Sequence, residues 1–152
     1  MLATDILKQE HRQAESLMTQ LKEAEGQDSS ASYRPIFEKL KTALLMHMRA
    51  EEEIFYPAVK NADLEDEVVE AYDEHAGAKA LLVQMNELDP TTPEFQTALT
   101  ELMTSIEHHV GEEEGEMFPT AEEELGEARM QELGVQIEQL KSSGGTSKTA
   151  SI

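Results

Sequence analysis

A short motif occurs twice in this chain. His47-Met-Arg-Ala-Glu51-Glu-Glu-Ile-Phe-Tyr-Pro57 returns as His109-Val-Gly-Glu-Glu113-Glu-Gly-Glu-Met-Phe-Pro119. Each copy sets a His and a Glu four residues apart, with a Pro six residues after that Glu. Residues i and i+4 share one face of a helix, so imidazole and carboxylate can hold one metal ion together. Two copies imply two metal sites, or one site with two ions. The repeat extends upstream, where Glu10-His11-Arg-Gln-Ala14 matches Glu74-His75-Ala-Gly-Ala78. The lone histidines stand 64 residues apart and the motif histidines 62, a difference that a change in loop length accounts for. Each half is therefore a helix with one His, a loop, and a helix with His-x3-Glu.

Periodicity places these motifs on helices, and no segment alternates as a strand would. The first helix is expected at about Thr4 to Ala24, with Thr4 as N-cap and Gly26 as stop; Leu7, His11, Ala14, Met18 and Leu21 form its stripe. The second is expected at about Tyr33 to Phe55, with Pro35 in its first turn and Leu40, Leu44, His47, Glu51 and Phe55 on one face. The third runs from about Leu64 to Leu88, capped by Asp63, along Val68, Ala71 or Tyr72, His75, Leu82 and Met85. The fourth starts at Thr92-Pro93 and reaches about Met117 through Phe95, Leu99, Leu102, Ile106, His109 and Glu113. Pro57 and Pro119 should end or kink the second and fourth helices. A further helix is expected at about Thr120 to Lys141, where Thr120 and Glu123 match a capping box. The expected fold is all-α: an up-down-up-down four-helix bundle with an additional C-terminal helix, one domain over 1–141, and a Ser/Gly/Thr-rich disordered tail over 142–152.

Composition narrows the partners. Thirty-two acidic residues against 12 basic ones give a formal net charge of −20, which repels nucleic acid and anionic membranes. No apolar run reaches transmembrane length and no signal peptide is visible, so the expected location is cytoplasmic. Without cysteine there is no disulfide, iron–sulfur cluster or thiol catalysis. Zinc-protease, phosphate-loop and Gly-x-Ser-x-Gly motifs are absent, as is the Glu-x-x-His of ferritin-like bundles.

Six candidate metal ligands fall on the apolar stripes: His11, His47, Glu51, His75, His109 and Glu113. A lone His on such a stripe is usually a hydrogen-bonded core residue. Two carboxylates on core stripes, with only Arg49 and Lys79 nearby in sequence, need stronger compensation, and a pair of hard metal ions supplies it. His108 lies about 100° around the helix from His109 and could pair with Glu112, but alignment through Pro119 favours His109. Tyr72, one turn before His75, is expected to pack in the core, with a role beside the metal as the alternative. Phe55, Tyr56 and Phe118 are read as bundle-end packing. Glu52 and Glu114 are read as part of a solvated charge run.

These residues resemble the hemerythrin-like family of HHE cation-binding domains, in its His, His-x3-Glu, His, His-x3-Glu order, over roughly Asp5 to Pro119. The resemblance implies a four-helix bundle around an oxo- or hydroxo-bridged di-iron centre of two Fe ions. Each iron would draw on two of His11, His47, His75 and His109, with Glu51 and Glu113 bridging. Respiratory hemerythrins carry a fifth histidine in a His-x3-His pair on the third helix; here Ala71 and Lys79 stand four residues before and after His75. That departure favours reaction with small oxidants over simple O₂ carriage. The expected function is binding of, or reaction with, H₂O₂, NO or O₂ in oxidative or nitrosative stress protection. Catalase-like peroxide disproportionation or NO-directed oxidoreductase chemistry would be the enzymatic form. Reversible O₂ binding or sensing and iron buffering are the alternatives. The expected partners are a small diatomic ligand or peroxide, with no nucleic acid or membrane, for a monomer or weak dimer.

Overall fold

The computed structural model describes the backbone of residues 1–24 and 30–150 and the side chains of 1–24 and 33–143. Helix α1 (Ala3–Glu23) is followed by α2 (Ser30–Ala50), a π-helical turn (Glu51–Phe55) and the short α3 (Tyr56–Val59). Next come α4 (Glu65–Glu87), α5 (Pro93–Glu112), a second π-helical turn (Glu113–Met117) and α6 (Phe118–Ala150). No strand occurs among the described residues. α1 packs on α2 and α4 on α5, and α6 lies against α1 and α2, giving the expected bundle with its extra C-terminal helix.

Several boundaries have different causes from those the sequence suggested. Thr4 sits inside α1 behind Leu2, and its hydroxyl donates to Glu122 on α6. Asp63 does not cap α4; it takes a left-handed φ of 66°, and Leu64 stands at the cap. Pro35 lies inside α2 and not in its first turn. Thr120 and Glu123 form no capping box, because α6 already runs on from Phe118; its break falls at Gly126, where φ is 84°. Thr92 does cap α5, accepting from Phe95 N at 3.4 Å. The stop expected at Gly26 lies outside the described residues. Of the tail expected over 142–152, the backbone continues α6 to Ala150, and the side chains from Gly144 onward lie outside the described residues.

The two motif prolines act through register. A proline ring collides with the carbonyl four residues back and offers no N–H to it. In both copies the chain widens one turn ahead of the proline: Tyr56 N–H bonds to Glu51 O, and Phe118 N–H to Glu113 O, five residues back. The helix thus passes Pro57 and Pro119 with a π turn that starts on the motif glutamate. In that register Glu52 O would bond to the nitrogen of Pro57, which has no hydrogen; the Tyr72 hydroxyl donates to it at 3.1 Å instead.

Two apolar clusters fill the bundle. One includes Leu17, Met18, Leu21, Leu40, Leu44, Met48, Leu82, Leu99, Leu102, Ile106 and Val110; the other includes Ile6, Leu7, Phe55, Tyr56, Val59, Val68, Phe118 and the α6 residues Met130, Leu133 and Ile137. Each motif histidine sits where its helix crosses from one cluster to the other, as His11 does between Leu7 and Ala14. The polar layer is a slab between two cores.

Candidate metal centre

All six expected residues are buried, and Glu51 and Glu113 are the deepest, at 0% and 1% exposed. An ionised carboxylate at that depth is unfavourable by several kcal/mol unless charge of the opposite sign faces it. Four imidazole Nε2 atoms do so. His11 Nε2 lies 3.0 Å from Glu113 Oε1, and His109 Nε2 lies 3.1 Å from Glu113 Oε2. His47 Nε2 lies 3.2 Å from Glu51 Oε1, and His75 Nε2 lies 3.0 Å from the same oxygen. Glu113 thus presents one oxygen to each half of the cluster.

The ligand atoms fall into two overlapping groups, each within 4.8 Å across. One is His11, His47, Glu51 and Glu113; the other is Glu51, His75 and His109. Two buried atoms, His47 Nε2 and Glu51 Oε2, have no hydrogen-bond partner. Four nitrogens and two carboxylates around shared space, with such orphans among them, fit a pair of metal ions.

Each histidine is held from behind by a second glutamate. His11 Nδ1 donates to Glu114 Oε2 at 2.7 Å, His47 Nδ1 to Glu10 Oε1 at 2.7 Å, His75 Nδ1 to Glu52 Oε2 at 2.7 Å, and His109 Nδ1 to Glu74 Oε1 at 2.6 Å. These bonds fix the tautomer and leave Nε2 as the inward atom. The reading of Glu52 and Glu114 as solvated charges is thereby corrected. Each lies about 100° around from the inward glutamate, which aims it at the histidine of the neighbouring helix. A signal for all four was present in the repeat: Glu10 and Glu74 precede the lone histidines, and Glu52 and Glu114 follow the motif glutamates.

Tyr56 was also misread as bundle-end packing. Its hydroxyl donates to Glu51 Oε1 at 3.0 Å, lies in closer contact with Glu113 Oε2, and is 3.3 Å from both His75 Nε2 and His109 Nε2. Tyr72, the tyrosine the sequence singled out, is partly exposed and packs edge-on against the Tyr56 ring. His108 points outward, 2.9 Å from Glu112, as its alternative pairing allowed.

Electrostatics link these groups. Burial by itself lowers the pKa of His47, but Glu51, Glu10 and Glu113 outweigh it and push it up to about 10. His109 is likewise raised, against burial, to about 12 by Glu113 and Glu51. Burial raises Glu51, yet His47 foremost, with His109, holds it well below the usual carboxylate range. Burial, then the charges of Glu51 and Glu113, drive the Tyr56 phenol well above 10, so it keeps its proton.

A cavity of ≈ 20 Å³ lies above the histidines, walled by Ala14, Leu44, Met48, Ala78, Ile106 and Val110. It has room for about one water-sized molecule.

Comparison with known proteins places the chain. The family profile "Hemerythrin HHE cation binding domain" matches residues 2–121. A crystal structure of a hemerythrin HHE cation binding domain-containing protein from Mycobacterium kansasii superposes with a TM-score of 0.77 at 26% identity, over 94% of this chain and 89% of that one. A DNA nickase of Nostoc sp. (strain PCC 7120 / SAG 25.82 / UTEX 2576) is 28% identical over 138 residues, 91% of this chain. The match spans only 38% of the nickase.

Proposed function

Because the chain belongs to the hemerythrin HHE cation-binding family, we propose that its buried cluster holds two iron ions and brings them one small neutral oxidant: O₂, NO or H₂O₂. The observation that carries this is the convergence of four imidazole Nε2 atoms, each fixed by a glutamate behind it, on two buried carboxylates. His11 and His47 would hold one ion and His75 and His109 the other, with Glu51 and Glu113 completing both sets. Iron in this setting supplies reversible redox chemistry and open positions for a small ligand.

The protein's own groups set the surroundings of that chemistry. The four outer carboxylates hold the imidazoles in the metal-binding tautomer. Tyr56 offers a phenol proton at the centre, between the two inward glutamates. The small, mostly apolar cavity above the histidines suits a small neutral molecule better than a charged one. No fifth imidazole stands near His75: Ala71 packs in the core, and Lys79 is engaged with Glu52. That leaves room for chemistry beyond carriage and favours turnover of peroxide or NO in oxidative or nitrosative protection. The nickase relative's activity is not carried over, since a net charge of −20 repels a phosphate backbone.

Metal analysis and stopped-flow absorption test the reading. The expected result is about two irons per chain and a reduced form consumed by H₂O₂ or NO. One tightly held zinc with no iron overturns the centre. An O₂ adduct that is long-lived and releases O₂ under vacuum, without catalytic loss of H₂O₂, makes the protein a carrier or sensor. A spectrum indifferent to all three ligands makes it an iron buffer.

A further inference from the structure

Three of the four outer carboxylates are closed from outside by a permanent cation. Arg12 pairs with Glu114, Lys79 with Glu52 at 3.0 Å, and Lys141 of α6 with Glu10 at 2.7 Å. The fourth, Glu74, has no lysine or arginine partner among the described residues; its outer neighbour is His108, at 3.5 Å. Beside Glu74 a second cavity, of ≈ 30 Å³, runs between α4 and the second π turn. Exposed Glu112 and Glu116 stand at its mouth, half-buried Glu67 and Glu74 along its wall, and buried His109 and Glu113 at its end.

The repeat supplies a control within the same molecule. At the matching offsets, Glu67, Glu112 and Glu116 correspond to Ala3, Ala50 and Ile54. Ala3 and Ala50 are fully buried, and Ile54 packs against the same apolar cluster under α6. Ala71 corresponds to Leu7, which is also fully buried. The first half is plugged with hydrocarbon at the place where the second is lined with carboxylates. A divalent cation moving through the first half would shed its water without replacement, whereas carboxylate oxygens replace that water stepwise in the second.

We infer that a divalent metal cation reaches the buried centre through the second half, drawn in by Glu112, Glu116 and Glu67 and delivered past Glu74 to His109 and Glu113. The inference rests on the metal centre proposed above and concerns how it is filled. Lys79, Arg12 and Lys141 repel a cation from the other three sides, so the field leads to one opening.

The test is the rate at which metal-free protein takes up Co(II), read by stopped-flow through its ligand-field absorption. A triple variant, Glu67→Gln, Glu112→Gln and Glu116→Gln, keeps all six inward residues and the four carboxylates behind the inward histidines, and loses only the outward pair of Glu112 with His108. It should load about tenfold or more slowly, lose the wild-type decline of rate with added salt, and reach the same final Co(II) content. A matched triple on exposed positions of α6, Glu123→Gln, Glu127→Gln and Glu138→Gln, loses the same charge and should load like wild type. Equal rates for the two triples overturn the route. A wild-type rate independent of salt does so as well, since loading then waits on opening of the bundle. Wild-type protein that takes up no Co(II) fails one step earlier and overturns the metal centre itself.

Discussion

The two halves of the repeat hold the same inward residues and differ in what surrounds them. In the first half, α6 covers the end of the bundle, and Ala3, Leu7, Ala50 and Phe55 seal it. In the second half the matching positions carry Glu67, Ala71, Glu112 and Met117, and the end stays polar. The motifs differ in a second way. Tyr56 of the first corresponds to Phe118 of the second, so only one copy sends a hydroxyl into the centre, while Phe118 stacks on His11 with ring centroids 5.8 Å apart. A third difference is on the surface: Arg49 and Glu53 form an ion pair at 2.7 Å where the second copy has Gly111 and Gly115. The repeat thus keeps the inward frame, while the covering residues are apolar in one half and line a cavity with carboxylates in the other.

The largest effect should come from the inward glutamates. Glu51→Ala removes the oxygen shared by His47, His75 and His109 and leaves buried imidazolium unpaired, at a cost of about 3–5 kcal/mol in the metal-free protein. Glu113→Ala should behave alike, and both should lose metal by elemental analysis. If Glu113→Ala keeps both ions, the halves do not share the bridge equally. The outer glutamates come next. Glu52→Ala and Glu114→Ala should each weaken metal binding by about 10–100-fold in a chelator competition. Wild-type affinity in both would return these residues to the solvated face. Tyr56→Phe makes the two motifs alike at that position. It should lower the unfolding free energy by about 1.5 kcal/mol, the value of a hydrogen bond to a charged acceptor. Phe118→Tyr, which faces His11 and not the carboxylate pair, should not restore it in the double variant.

Proton release tests the same frame. His47 and His109 are raised above their ordinary 6.5, so their stabilisation of the metal-free fold is fully present below about that pH and lost as pH rises through about 10 and about 12. Glu51 is depressed, so its contribution is present above about 4.5 and lost as pH falls through its lowered value. At pH 7 both hold, and metal must displace the imidazolium protons. Binding should release about two protons per chain to an indicator dye, and affinity should rise with pH. Uptake without proton release would mean the metal lies elsewhere. The smallest effect is at Gly111, exposed with open space around it; Gly111→Ala should stabilise α5 by up to about 1 kcal/mol, against no gain if its backbone is not helical in solution.

The sequence by itself determined the class of fold and the six inward residues, because a repeat of His and His-x3-Glu on stripes of period 3.6 leaves those side chains nowhere but the interior. It also held Glu10, Glu52, Glu74 and Glu114 in plain view. A rule for one helix face discards them, however, since each serves a histidine on another helix. Tyr56 was hidden for a related reason: a π turn changes the register after Glu51, and α-helical spacing then assigns the residues beyond it to the wrong side. Only the tertiary structure decided which half is closed. Closure depends on α6 packing over the first half and on which of two matching surfaces carries carboxylates beside a gap, and burial of that kind is a property of several helices at once.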